Sequence, residues 1–153
     1  MKNKNTLIAI LLLYLVLVLR LAGRDFYYDE MYSLVHFILV PLRQTIFEYR
    51  NLNNHFFFSL ISNLYSKAVC VTELRTLLDN PVIIRLPQLA FSGVTIWYLY
   101  RIGEELFNEK VALYSVIVLI TTIPYYYYVT QIRGYSLSMM LMTMLIYYLW
   151  RKK

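Results

Sequence analysis

Residues 111–129 form a run of about 19 positions without a charged side chain, the length needed to cross the hydrocarbon core of a bilayer. Nothing constrains this chain more, because lipid offers no partner to an exposed backbone amide and so admits only helices or closed barrels. Three further segments have the same character. Residues 6–22 are apolar except for Arg20, whose long side chain can reach outward from a helix end. Residues 86–102 lie between Arg85 and Arg101, with Gln88 and small polar residues inside. Residues 135–150 are uncharged and are closed by Arg151, Lys152 and Lys153. The composition agrees: 59% of residues are hydrophobic and 16% charged, against about 45–50% and about 25% in soluble domains. The expected fold class is all-α, a polytopic membrane protein of about four transmembrane helices in one membrane domain spanning 1–153.

The net charge of +6, from 15 Lys+Arg against 9 Asp+Glu, is placed at the ends of the apolar runs. Anionic headgroups and topology signals explain that placement, and a nucleic-acid partner is not expected. Lys2 and Lys4 before the first run have the layout of a signal sequence, but Ala22-Gly23 sits between Arg20 and Arg24 and makes a poor cleavage site. An uncleaved anchor is the expectation. With four spans and a cytoplasmic N-terminus, the basic residues of 101–110 and the terminal Arg-Lys-Lys all fall on the cytoplasmic side. Cys70 stands alone, so no internal disulfide exists. Compact loops and the lack of a disulfide pair point to a multi-pass protein of a bacterial inner membrane.

Residues 56–72 are long enough to be tempting as a fifth span. Phe57, Leu60, Ile61, Leu64, Ala68 and Val71 share one helical face, whereas Ser59, Ser62, Asn63, Ser66 and Lys67 share the other. A stripe of that kind suits an amphipathic helix lying in the interface. It belongs to a long outer segment, 23–80, which also holds an apolar run stopped by Pro41 and a second short helix from Leu42.

Four polar groups fall on this outer side. Asp29-Glu30 follows Tyr27 and Tyr28, and a carboxylate among rings at the bilayer surface is a candidate base, although acidic residues are also common where a helix begins. Asn53, Asn54 and His55 can bind hydroxyls or cap the following helix. Arg85-Leu86-Pro87 reads as a helix start with proline in its first turn, its arginine at the headgroup level. Gln131, Arg133 and Tyr135 occupy a short turn in which Arg133 suits phosphate and Gly134 allows a close approach. Each signal is weak, but all four share one side of the membrane.

In this order the groups resemble the N-terminal part of a GT-C class membrane glycosyltransferase, closest to the dolichyl-phosphate-mannose protein mannosyltransferase-like and lipid A aminoarabinose transferase-like superfamily. The resemblance rests on Asp29-Glu30 followed by Met31, Tyr32 and Ser33, the Asn53-Asn54-His55 turn, Arg85-Leu86-Pro87, and Gln131, Arg133, Tyr135 and Leu137. It covers essentially the whole chain. The family's His turn often continues into prolines, whereas Phe56-Phe57 follows here, and family members typically run to several hundred residues.

The resemblance implies transfer of a sugar from a polyprenyl-phosphate donor to an acceptor hydroxyl of a lipid, glycan or protein on the outer face. Asp29 would be the general base, with Glu30 in support or helping to hold a divalent metal where one is used; no other cofactor is implied. Arg133, and less directly Arg85, would neutralise the departing phosphate. Asn54, His55, Gln131 and Tyr135 would line the substrate pocket. The length implies a truncated or split copy, with a companion chain as an expected partner beside membrane lipids. A non-catalytic assembly or binding subunit, or an inactive relic of the scaffold, is the competing expectation. A transporter fits less well, since the span interiors after Arg85 hold no ionisable carboxylate or base of the kind that marks an ion path.

Overall fold

The computed structural model describes residues 4–48 and 55–152. Among these, every regular element is helical. They are α1 (Lys4–Ala22), α2 (Tyr28–Ser33), a π-helical turn (Leu34–Ile38), α3 (Leu42–Phe47), α4 (Phe56–Ala68), α5 (Leu74–Asp79), α6 (Val82–Leu106), α7 (Glu109–Thr121), α8 (Ile123–Thr130) and α9 (Tyr135–Arg151). The chain is an all-α integral membrane protein. By length and composition α1 and α6 can each cross a membrane, and α7 with α8 makes a third crossing if the bent pair counts as one. At 17 residues, α9 reaches about 25 Å along its axis, the short end of the spanning range.

Two expectations about helix boundaries are corrected, both through proline. The uncharged run 111–129 is not one helix: α7 and α8 meet at a 71° bend. Pro124 lies in the first turn of α8, and continuing α7 through it would forfeit a backbone bond and drive the ring into the preceding turn. The helix expected to open at residue 86 begins at Val82, so Pro87 lies inside α6. Its missing N–H leaves the Ile83 carbonyl without its helical donor, and the Tyr65 hydroxyl donates there at 3.1 Å. Pro41 is accommodated in the same way. It would have served the Phe37 carbonyl, which instead accepts from the Thr45 hydroxyl at 2.9 Å.

The amphipathic reading of 56–72 holds for the pattern but not for its orientation. In α4 the polar residues Ser59, Ser62, Asn63 and Ser66 are buried, while Phe57 and Leu64 are exposed. The stripe faces the protein because the loops there have carbonyls to satisfy. The Asn63 amide nitrogen lies 2.8 Å from the oxygens of Ile38 and Val40 and from the Thr45 hydroxyl.

Two cores stack along α6. One joins α1, α6, α7 and α8 through Val18, Ile96, Val116 and Val129; the other joins the outer helices to α6 and α9 through Ile38, Phe58, Ile84 and Leu137. Helices α6 and α9 run parallel, since Tyr147 pairs with Glu105 at one end and Ile84 shares a core with Leu137 at the other. That arrangement needs the α7–α8 return between them. It brings the C-terminus of α1, the N-terminus of α6 and the turn before α9 to one end of the bundle. The opposite end carries an ion network of Arg101 with Glu104 and Glu105, extended by Arg151.

Helices α6 and α7 cross closely at Gly103, where a Cβ would lie 2.7 Å from the Ala112 Cα. A backbone atom cannot swing aside, so Gly103→Ala must push α6 from α7. It should destabilise the chain by about 1–3 kcal/mol, the usual cost of overpacking, read as a lower unfolding midpoint in detergent, whereas Gly93→Ala, with nothing within 4 Å, should not.

Candidate functional site

The acidic pair separates into two different environments. Glu30 is buried at 1% exposure, Asp29 is 58% exposed, and each has its own arginine. Both follow from α2 starting at Tyr28, which turns consecutive side chains about 100° apart.

Glu30 meets Arg85 at 2.9 Å, the arginine being 2% exposed. The carboxylate is fully used. Oε2 also accepts from the Tyr27 N–H at 2.9 Å, and Oε1 accepts from the Ile132 N–H at 2.8 Å and from Arg85 Nε at 3.4 Å. Arg85 is used as completely. Its Nη1 donates to the carbonyls of Ala22 and Arg24 at 2.6 and 2.5 Å, and Nη2 donates to Asp25 at 3.3 Å. The last carbonyls of a helix have no internal donors and attract cations, so Arg85 closes the end of α1. Its guanidinium also lies 4.7 Å from the Phe26 ring centre. Arg85 therefore points into the protein rather than outward to a headgroup, which corrects that expectation. The pair ties α1, α2, α6 and the 131–135 turn at a single buried point.

Asp29 lies 3.0 Å from Arg133, whose side chain is only 11% exposed. The expected base and phosphate partner thus emerge together at the same end of the bundle. Arg133 Nη1 is 3.4 Å from the Tyr135 hydroxyl. Tyr135 packs edge-on to Tyr128 and to His55, with ring centres 4.8 and 5.5 Å apart. A Cβ on Gly134 would come 3.1 Å from His55 Nδ1, so this glycine supplies the close approach, and its target is the histidine. Gln131 is buried beside them. Asn53 and Asn54 lie outside the described residues.

Burial first, and then the neighbouring Arg133 charge, push the His55 pKa below 6.5. The unfolded chain therefore takes up that proton first as pH falls. His55 contributes stability that is complete above pH 6.5 and is lost progressively below it. His55→Gln should flatten that part of the melting-temperature profile, measured in detergent against the wild type.

The tyrosine tract 125–128 does more than line a membrane belt. Tyr127 faces Tyr27 at 5.6 Å, and both lie on a cavity of 220 Å³ with Leu21 and Ile123 as apolar wall and Arg24, Arg85, Tyr126 and Thr130 as polar wall. Tyr128 meanwhile reaches Tyr135. The tract thus joins the cavity to the Arg133 turn. Its position three residues before Gln131 was the available signal.

No three His, Cys, Asp or Glu side chains converge among the described residues. Glu30 has no oxygen to spare, which leaves Asp29 as the available carboxylate beside Arg133. Among the described residues that donor set does not fit a divalent metal.

The family model for dolichyl-phosphate-mannose-protein mannosyltransferase matches residues 70–152. The chain belongs to this family. The match takes in α6 to α9 with Arg85, Gln131, Arg133 and Tyr135; Asp29, Glu30 and His55 precede it. No curated protein and no solved structure matches the chain. A mannosyltransferase-family scaffold accounts for the two coarse features already described, membrane helices and a polar cluster gathered at one end of them.

Proposed function

We propose that this chain transfers a sugar from a polyprenyl-phosphate donor to an acceptor hydroxyl at the outer face of the membrane, with its N-terminus cytoplasmic and four passes through the bilayer. The observation that carries the reading is the Asp29–Arg133 pair at 3.0 Å. A base and a phosphate-binding cation stand together where the lipid tail of a donor would leave its head. Asp29 Oδ2 takes the acceptor hydroxyl proton. The acceptor oxygen attacks the anomeric carbon, the carbon–oxygen bond to phosphate breaks, and polyprenyl phosphate departs with the bonding electrons. Arg133 stabilises the negative charge that grows on the phosphate, the kind of preorganised electrostatics that dominates many enzymes.

The remaining residues support these two. Glu30 and Arg85 are positioning residues: their hydrogen bonds are internal and Glu30 holds the amide next to Arg133, while Arg85 also borders the cavity beside Tyr127. His55, Gln131 and Tyr135 line the substrate side. The cavity beside Tyr127 has the mixed lining that suits the first isoprene units of a donor. A test uses the purified chain in liposomes with polyprenyl-phosphate-linked sugars and mixed lipid, glycan and peptide acceptors. Transfer by the wild type that is lost in Arg133→Gln is expected; no transfer with any donor would overturn the catalytic reading in favour of a binding subunit.

A further inference from the structure

The base and the phosphate would claim the same guanidinium. Arg133 is held in place by its surroundings: the preceding amide is bonded to Glu30, its own N–H donates to the Gln131 carbonyl at 2.8 Å, and its side chain is nearly buried. Asp29 is the exposed partner, and its Oδ2 meets Arg133 Nη2 at 3.0 Å. Among the described residues, Arg133 Nε is buried without a hydrogen-bond partner. With Asp29 in place the guanidinium is therefore under-satisfied at Nε. A phosphate brings more charge and more acceptor oxygens than a carboxylate and matches the guanidinium fork.

We infer that Asp29 is the resident competitor for the Arg133 site, and that a lipid-linked phosphate displaces it, so that donor binding is the event that frees the base. The inference rests on the proposed reading of Arg133 as the phosphate partner. Displacement needs only rotation of the exposed Asp29 side chain, because Glu30, one residue on, fixes the backbone through the Tyr27 and Ile132 amides. The consequence is an order of events. Before the donor arrives, the carboxylate is paired with Arg133 and does not activate an acceptor. After it arrives, Arg133 holds phosphate and Asp29 turns to the acceptor hydroxyl.

Competition predicts that removing the carboxylate tightens binding, the reverse of what a ligand-contacting or structural residue would do. The chain in nanodiscs of zwitterionic lipid is titrated with a polyprenyl monophosphate and, in parallel, with the matching neutral polyprenol. Asp29→Asn and Asp29→Ala should each bind the phosphate about three- to tenfold more tightly than wild type, from loss of a partly exposed ion pair and of a nearby like charge. Polyprenol binding should not change, and Arg133→Gln should lose the preference for phosphate over alcohol. Equal or weaker phosphate binding by both Asp29 variants, with the wild type still preferring phosphate, would overturn the competition and leave the proposed function standing. A wild type with no preference for phosphate would overturn both.

Discussion

Asp29→Asn should lower sugar transfer about 10²–10⁴-fold, the range for removing a positioned general base. Folding should be little affected. Asp29 is 58% exposed and forms one ion pair, and exposed pairs contribute about 0–1 kcal/mol. The loss should therefore appear in kcat, with an unfolding midpoint close to wild type. Arg133→Gln should differ in kind, weakening the donor complex as well as the chemical step, because its charge is needed in both. A transfer rate for Asp29→Asn equal to wild type would remove Asp29 from the mechanism, whatever its distance from Arg133. Measuring kcat and KM separately for the donor tells a lost base from a lost binding contact.

That prediction depends on a convergence only partly legible in the sequence. Spans and charge bias placed Asp29 and Arg133 at one end of the bundle, because uncharged runs of about 20 residues leave helices few alternatives in a bilayer. The pairing was not legible. Nothing in the order Asp29-Glu30 tells which carboxylate turns inward, since that depends on where α2 begins, and its start at Tyr28 follows from the Glu30 bond to the Tyr27 amide.

Arg85 illustrates the same limit. An arginine at the end of an apolar run ordinarily reaches for headgroups. Here the helix starts three residues before it, at Val82, and the unpaired carbonyls at the end of α1 draw it inward. The α4 stripe was read correctly as a pattern, yet its direction was set by carbonyls near Pro41, which only the tertiary fold reveals. Prolines mark both boundary corrections: Pro87 reads in the sequence as opening a helix and Pro124 falls within a run that reads as one span, and sequence does not tell whether a hydroxyl such as that of Tyr65 will repair the gap.

The buried pair should be the most sensitive point of the fold. Glu30→Gln leaves the Arg85 charge buried without its counter-ion, which typically costs about 3–5 kcal/mol. Arg85→Met should cost at least as much. It strands the Glu30 carboxylate and also releases the carbonyls of Ala22, Arg24 and Asp25, to which Arg85 donates. Because a domain's whole stability is about 5–15 kcal/mol, either change can empty the folded state at physiological temperature. The double variant Glu30→Gln/Arg85→Met should be less destabilised than the sum of the singles, by about 0.5–3 kcal/mol, since neither charge is then stranded. Glu104→Gln provides the contrast, for its pair with Arg101 is one-quarter to one-third exposed and should change stability by about 1 kcal/mol or less. Unfolding midpoints in detergent for the four variants decide the matter. If Glu30→Gln proved as mild as Glu104→Gln, the Glu30–Arg85 pair would not be the point that fixes the 131–135 turn. The placement of Arg133 would then have to come from packing around Ile132 and Leu137 instead.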